Sequence, residues 1–409
     1  MRKAALKLGA ASNEAKNRVL LKAAQALRER KLEILTANAA DLALVDPKKA
    51  TPAFLDRLTL NDERISQMAK SLQAVASLPD PVGEIAEDCT LENGLHVTRV
   101  RAPLGVIFMI FEARPNVVTE AFSLGFKAGN AMILRGGSES AQTNAVLYSI
   151  LNDALIEIGP ELSANSPLWG ITDPDRAIVD ALLQENTKID VVVPRGGAGL
   201  IDHVVRHSKI PVIKNDRGLC HIYVEADADL SMAEKIVVNA KTQRPGVCNS
   251  METLLVHASV ASQLLPELHA SMGGVEWFAC PRSLALLKGC ARVQLAMDAN
   301  WDTEYLDYKI NCRIVDGLDE ALTHIARHGS GHSESIITAS REMARAFQSG
   351  IDAAAVYWNA STRFTDGYEL GLGGELGIST QKLQVRGPVG LRELTSLRWI
   401  IDGNGQVRE

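Results

Sequence analysis

Residues 191–201 read Val191-Val192-Val193-Pro194-Arg195-Gly196-Gly197-Ala198-Gly199-Leu200-Ile201. A β-branched run delivers the chain into a glycine-rich turn, and the turn opens a helical stretch. Continuous apolar strands belong to parallel sheets covered on both faces. At such a strand-to-helix turn the first helical N–H groups have no intrahelical acceptor and carry the positive end of the helix dipole. Two readings fit this turn alone: a tight connection with no ligand, and a phosphate cradle. It is not the GxGxxG dinucleotide fingerprint.

The same arrangement recurs upstream. The longest apolar run spans 104–111, and 131–134 and 189–193 are shorter runs of the same kind. Helical stretches at 117–128, 142–158 and 174–183 separate or flank them. Strand alternating with helix predicts a doubly wound α/β sheet with right-handed crossovers. The run 131–134 also leaves into glycines, as Arg135-Gly136-Gly137-Ser138, and an Arg there suits a phosphate monoester. Two such turns at the ends of parallel strands favour a dinucleotide. Earlier, 12–78 reads as helices, beginning at Ser12 and ending before Pro79 and Pro81. Residues 89–101 read as a hairpin about Asn93-Gly94. A second unit begins after 222–225, with a helix at 230–240, a polar loop at 244–249 and a strand at 253–256. The tail 362–390 is glycine-rich and irregular, and Trp399-Ile400-Ile401 marks a last strand. Gly371 to Gly377 follows no clean strand and reads as loop backbone.

At ~150 residues per domain, 409 residues make two to three domains. Apolar residues at 46% and charged residues at 22% exclude a disordered or collagen-like chain. The 43 basic and 49 acidic residues give a net charge of −6, against a general nucleic-acid binder but not against a local basic pocket. No run approaches the ~20 apolar residues of a membrane span. Met1-Arg2-Lys3 precedes no apolar stretch, so no secretory leader is expected. Six cysteines without CxxC pairs predict reduced thiols, a cytoplasmic setting, and neither disulfides nor a zinc site.

Of those six, Cys89, Cys220, Cys280, Cys290 and Cys312 are read as inert core thiols. Cys248 differs, lying in Thr242-Gln243-Arg244-Pro245-Gly246-Val247-Cys248-Asn249, a polar loop between a helix and a strand. Loops at element ends carry reactive groups, and positive neighbours such as Arg244 favour a thiolate. Phe111-Glu112-Ala113-Arg114-Pro115-Asn116 leaves the longest apolar strand. Asn116 reads either as an N-cap or as an amide donor to an oxyanion. His324, His328 and His332 stand four apart, as do His203 and His207, but Gly329 and Gly331 interrupt the first series and no further ligand completes a site. No metal is expected.

These stretches, with 239–245, Asn359-Ala360-Ser361-Thr362-Arg363-Phe364-Thr365-Asp366-Gly367, 379–383 and 386–388, run in one order over nearly the whole chain. The series resembles the aldehyde dehydrogenase superfamily, in the branch that reduces an acyl phosphate. The resemblance implies an α/β, aldehyde-dehydrogenase-like fold: a Rossmann-type NADP-binding domain over 1–225, an α/β catalytic domain over 226–390, and a small β oligomerisation element from the 89–101 hairpin and a strand and tail at 391–409. A homo-oligomer is expected. Cys248 falls on the family nucleophile and Asn116 on the oxyanion amide. Arg135, Gly136, Gly137 and Ser138 fall on the adenosine-ribose stretch. Ser138 stands where oxidising relatives carry a glutamate, leaving room for a 2′-phosphate and favouring NADP(H). Gly196, Gly197, Ala198 and Gly199 fall on the pyrophosphate turn, and Glu304 near the nicotinamide-ribose glutamate. Glu375 is a candidate for the substrate α-ammonium group. Arg114, Arg244 and Arg363 are candidates for its carboxylate or phosphate.

Hydrolytic relatives place a general-base Glu before the strand containing Ile222. Here 211–218 holds none, and Lys214-Asn215-Asp216-Arg217 departs from the family pattern. The reaction implied is NADPH-dependent reduction of L-glutamyl 5-phosphate to glutamate 5-semialdehyde and phosphate through a Cys248 thioester, the second step of proline biosynthesis. Acyl phosphates hydrolyse readily, which makes glutamate 5-kinase, the upstream enzyme, a candidate transient partner. The rival readings are an NAD-dependent hydrolytic aldehyde dehydrogenase, a metal protein, and a cofactor-binding regulator without catalysis.

Overall fold

Six consecutive side chains, Val106–Phe111, are buried and alternate between two cores. Ile107, Met109 and Phe111 pack with Val117, Phe122, Met132 and Val193. Val106, Phe108 and Ile110 pack with Ala5, Ile133, Val192 and Val204 on the opposite face. No polar alternation is visible because both faces are covered, each large apolar side chain contributing ~1.5–3 kcal/mol by burial. A computed structural model describes all residues except 49–50, 160–161, 163–164, 215–216 and 409, and leaves the side chains of 52–53 undescribed.

In chain order the strands used below are β1 Ile85–Thr90, β2 His96–Pro103, β3 Val106–Phe111, β4 Ala131–Arg135, β5 Leu168–Ile171, β6 Val191–Arg195, β7 Cys220–Val224, β8 Met251–His257, β9 Glu276–Ala279, β10 Val293–Leu295, β11 Lys309–Val315, β12 Ser333–Ile337, β13 Ala355–Trp358 and β14 Thr395–Asp402. The chain divides into two compact units. The first comprises 1–215, 371–377 and 383–409; the second comprises 216–370 and 378–382. The expected boundary at 225 falls one strand later than this division, because β7 hydrogen-bonds into the sheet of the second unit.

The first unit holds a four-stranded parallel sheet in the order β5-β4-β3-β6. Chain order reverses between β3 and β6, a topological switch point, where α/β sheets open a crevice beyond their carboxyl ends. Helix Arg2–Gly9 lies against β4, whereas helices Asn13–Glu29, Lys31–Ala43 and Asp62–Ser77 pack on Asn116–Lys127 and Ala141–Ile158, the two helices that flank the sheet. Ser12 accepts from the Ala15 N–H and caps Asn13–Glu29, and Asn61 caps Asp62–Ser77 in the same way. β5 carries no legible strand signal in the sequence: it is four residues long, with exposed Trp169 beside Gly170.

A three-stranded antiparallel sheet, β1-β2-β14, completes the first unit. The hairpin starts at Ile85 rather than 89, because β1 is exposed along its length and leaves no burial alternation to read. Cys89 therefore lies on the surface, not in the core. At the turn, Gly94 adopts φ 83°, the left-handed region that favours glycine.

The second unit is built on a seven-stranded parallel sheet, β10-β9-β11-β8-β7-β12-β13. Ile222, Val224, Leu254 and Val256 face one core; Tyr223, Leu255, Val315 and Ile336 face the other. Asp229 accepts from the Met232 N–H and caps helix Leu230–Thr242, which leads into the Cys248 loop. Among the described residues no helix is long and apolar enough to cross a membrane.

Candidate active site

Both glycine-rich stretches of the first unit lie where β4 and β6 end, on either side of β3. Gly136 is required sterically: a Cβ there would fall 2.1 Å from Asn144 Nδ2 and 2.9 Å from the Phe111 ring. Gly137 caps the 3₁₀ turn Ser138–Ser140, and Ser138 is exposed. Arg135 donates to the Pro174 carbonyl at 3.0 Å, while its buried Nε has no hydrogen-bond partner among the described residues. Burial holds this guanidinium below its ordinary pKa, and nearby Arg176 adds to the effect.

Helix Ala198–His207 begins after Gly197 without a side-chain cap. The Gly197 N–H donates to Glu112 Oε1 at 2.9 Å, and a Cβ on Gly196 would meet the Glu112 side chain at 2.7–2.8 Å. A carboxylate thus sits at the start of the helix, where unpaired N–H groups and the dipole attract an anion. Gly199 differs from its neighbours, since a Cβ there would meet nothing within 4 Å.

Asn116 is not an N-cap. Pro115 holds that position, and Asn116 is the first residue of helix Asn116–Lys127. Its Nδ2 donates to Glu120 Oε1 at 2.7 Å, and Arg195 Nη1 donates to Glu120 Oε2 at 3.0 Å. Arg114 and Glu375, both half-buried, also belong to the first unit.

In the second unit the chemistry-bearing loops precede their strands. Gly218 lies before β7, Cys248 before β8, Glu304 before β11 and His332 before β12. A Cβ on Gly218 would fall 1.6 Å from the Cys248 carbonyl oxygen and 2.8 Å from its Cα, so only glycine permits this approach. The same carbonyl accepts from Cys220 Sγ at 3.2 Å. Cys248 itself is half-buried. Burial pushes the Cys220 thiol up and takes Cys312 to about 12, as inert core thiols require.

The next residue, Asn249, ties this loop to the 359–367 segment. Its Nδ2 donates to the Thr365 carbonyl at 2.9 Å and the Arg363 carbonyl at 3.3 Å, and Thr362 Oγ1 returns a bond to the Asn249 carbonyl at 2.8 Å. Arg363 donates to Gln243 Oε1 at 2.9 Å. Burial lowers the Arg363 pKa, Arg244 lowers it further, and Asp366, Cys248 and Cys220 oppose the shift. The fold thus brings Cys248, Arg244 and Arg363 into one electrostatic neighbourhood.

Glu304 accepts from the Gly218 N–H at 2.7 Å. Burial raises its pKa, against the pull of that N–H, Arg217 and Lys241. Lys214 and Arg217 flank 215–216, which lie outside the described residues. Behind the loop, buried Lys241 and Glu252 pair at 3.0 Å, and the Leu306 N–H also reaches Glu252. Burial raises Glu252 to about 7 and lowers Lys241.

Sequence reasoning assigned no role to Glu112, Glu120, Gly218 or this Lys241–Glu252 pair. The legible signal for Glu252 was a lone carboxylate inside an apolar strand. His203 and His207 stack at 4.4 Å, and His203 pairs with Asp180. His324 and His328 share a helix, whereas His332 lies beyond it and bonds to Ser333 Oγ. Among the described residues no three His, Cys, Asp or Glu side chains converge as metal ligands would.

Parallel sheets with glycine exits on one and a loop cysteine before a strand of the other define a class. The sequence profile of the aldehyde dehydrogenase family matches residues 1–276, and the chain belongs to that family. More narrowly, it is 50% identical over 410 residues to the γ-glutamyl phosphate reductase of Moorella thermoacetica, covering 100% of this chain and 97% of that protein. The γ-glutamyl phosphate reductase of Heliobacterium modesticaldum is 48% identical, covering 99% and 96%. The crystal structure of the Thermotoga maritima γ-glutamyl phosphate reductase superposes with a TM-score of 0.95 at 42% identity, covering 100% of this chain and 98% of that one. An acetylating aldehyde dehydrogenase from Geobacillus thermoglucosidasius shares the fold, with a TM-score of 0.70 at 17% identity.

Proposed function

We propose that this chain reduces L-glutamyl 5-phosphate to L-glutamate 5-semialdehyde and phosphate with NADPH, the second step of proline biosynthesis from glutamate. The observation that carries this is the full-length identity to γ-glutamyl phosphate reductases, with the motif series in one order. In this reading the first unit binds the dinucleotide and the second carries the acyl chemistry. The exposed β14 side chains Trp399 and Ile401 support an oligomerisation role for the β1-β2-β14 sheet. A cytoplasmic homo-oligomer, with glutamate 5-kinase as transient partner, completes the reading.

The residues present suit the dinucleotide. The uncapped helix at Ala198 already attracts a carboxylate, the orphaned Arg135 Nε offers a donor to an anion, and small, exposed Ser138 leaves space for a 2′-phosphate. Gly136, Gly137 and 196–199 would hold the phosphates and adenosine ribose, with Glu304 on the nicotinamide ribose. Bound there, NADPH supplies a hydride.

The Cys248 thiolate attacks the acyl carbon. A C–S bond forms, the C–O bond to phosphate breaks with its electron pair on phosphate, and a thioester remains. The Asn116 amide and the Cys248 N–H donate to the oxyanion. Losing one such donor commonly costs ~3 kcal/mol of barrier. Arg114, Arg244 and Arg363 bind the substrate's carboxylate and phosphate, and Glu375 its α-ammonium. After reduction the C–S bond breaks, returning Cys248 to the thiolate and releasing the aldehyde. With no Glu in 211–218, water is not driven onto the thioester.

The test runs the reaction in reverse, following NADP reduction with glutamate 5-semialdehyde, with and without inorganic phosphate, in the wild type and Cys248→Ala. The expected result is strict phosphate dependence that the substitution abolishes. Equal turnover without phosphate would make water the acyl acceptor and replace this reading with the hydrolytic one.

A further inference from the structure

Asn116 and Glu120 stand one helical turn apart on the same face of Asn116–Lys127. The two ends of an Asn amide are nearly equal in size and opposite in hydrogen-bonding sense. A carboxylate only accepts, so with Glu120 Oε1 at 2.7 Å the amide must turn its Nδ2 to that side. One Nδ2 hydrogen is then used, the second is left for another acceptor, and Oδ1 is aimed away. Glu120 is itself held. Its Oε2 accepts from Arg195 at 3.0 Å, and both side chains are largely shielded, at 27% and 22% exposure. Arg195 is delivered there by sheet register: it pairs with Phe111 across β3 and β6, and its carbonyl accepts from the Glu112 N–H. A charge-assisted chain therefore runs Arg195–Glu120–Asn116, from the residue before the Gly196 turn to the amide.

We propose that Glu120 is a positioning residue that fixes the orientation of the Asn116 amide, leaving an Nδ2 hydrogen for the oxyanion, and that Arg195 holds Glu120 for this task. The inference rests on the reading of Asn116 as oxyanion donor. Glu120→Gln tests it with little change in volume. Gln offers one acceptor oxygen, which Arg195 claims. The Gln amide nitrogen then faces Asn116 and needs an acceptor, so it turns the Asn116 amide over.

The measurement is phosphate-dependent oxidation of glutamate 5-semialdehyde by wild type, Glu120→Gln, Asn116→Ala and the double variant. Expected is a fall in kcat of about 10- to 100-fold in Glu120→Gln, up to the ~100-fold at the low end for outright loss of one oxyanion donor. The KM values for NADP and aldehyde stay within about threefold, and the double variant is no slower than Asn116→Ala alone. A Glu120→Gln enzyme at wild-type kcat, while Asn116→Ala is slow, overturns the positioning role and leaves the oxyanion reading standing. Multiplying losses in the double variant also overturn it. Wild-type kcat in Asn116→Ala instead overturns the oxyanion reading, and the positioning role with it. If Glu120→Gln melts below assay temperature, the same cycle with Glu120→Asp, whose carboxylate falls one methylene short, decides by the same criterion.

Discussion

Gly218→Ala puts a single methyl group against the backbone of Cys248. The added Cβ would lie 1.6 Å from the Cys248 carbonyl oxygen, 2.5 Å from its carbon and 2.8 Å from its Cα. Ordinary contact begins near 3.4 Å, so the two segments must separate by about 1.8 Å. No flexible side-chain tip can yield, because the three nearest atoms are all main chain. Forced overpacking of this kind costs ~1–3 kcal/mol of stability. With Cys248 as the proposed nucleophile the larger effect is geometric, since displacing a reacting group by about 1 Å costs ~100-fold in rate. The separation also strains two tethers, the Glu304 contact on the Gly218 N–H and the Cys220 contact on the Cys248 carbonyl. The assay pairs phosphate-dependent turnover with urea unfolding. Expected are a kcat loss of about 100-fold or more and a stability loss of ~1–3 kcal/mol, with NADPH affinity retained. A variant within twofold of wild-type kcat would refute the argument that this approach places the thiol.

Two further outcomes follow from charges near the site. Glu252, raised to about 7 by burial, binds its proton more tightly in the native state than in the unfolded chain. Its contribution to stability is therefore fully present below about 4.5 and falls as pH rises towards about 7, by roughly 3 kcal/mol at ~1.4 kcal/mol per unit. Glu252→Gln should flatten that part of the stability–pH curve measured by urea unfolding; an unchanged slope would contradict the assignment. Glu112 holds the Gly197 N–H at a helix start, an interaction worth ~0.3–1 kcal/mol for a carboxylate. Glu112→Gln removes the charge that competes with a pyrophosphate and should tighten NADPH binding by about two- to fivefold in calorimetry. Equal or weaker binding would mean that the carboxylate does not compete.

The parallel strands were legible because burial on both faces leaves an unbroken apolar run, as in Val106–Phe111. Where burial is partial the signal vanishes. β1, exposed throughout, and β5, with Trp169 at the surface, carry no readable pattern. Within the site, local spacing was readable and register was not. Asn116 and Glu120 are visible as an i, i+4 pair, but Arg195 joins them only because β6 pairs with β3. In the sequence Gly218 is indistinguishable from any loop glycine; its need comes from the Cys248 carbonyl that the fold sets against it.

The order of motif and strand carries the most information, because it assigns each loop to an edge. In the first unit the glycines follow their strands, and the Gly196 turn opens helix Ala198–His207 without a side-chain cap beyond the end of β6, next to the β3–β6 switch point. In the second, Cys248 precedes β8, and the helix before it, Leu230–Thr242, runs towards this edge with its C-terminus. A helix end offers carbonyls, the wrong sign for a phosphate or carboxylate. Under the proposed function an anionic substrate at Cys248 would be held by side chains instead, and at this edge Arg244 acts on Arg363 despite their mutual repulsion. Two guanidinium groups that repel one another, one of them half-buried, are a setting that a bound anion would ease. Under the proposed function, backbone donors would serve the phosphates of a dinucleotide in one unit, and the two arginines a small acyl phosphate in the other.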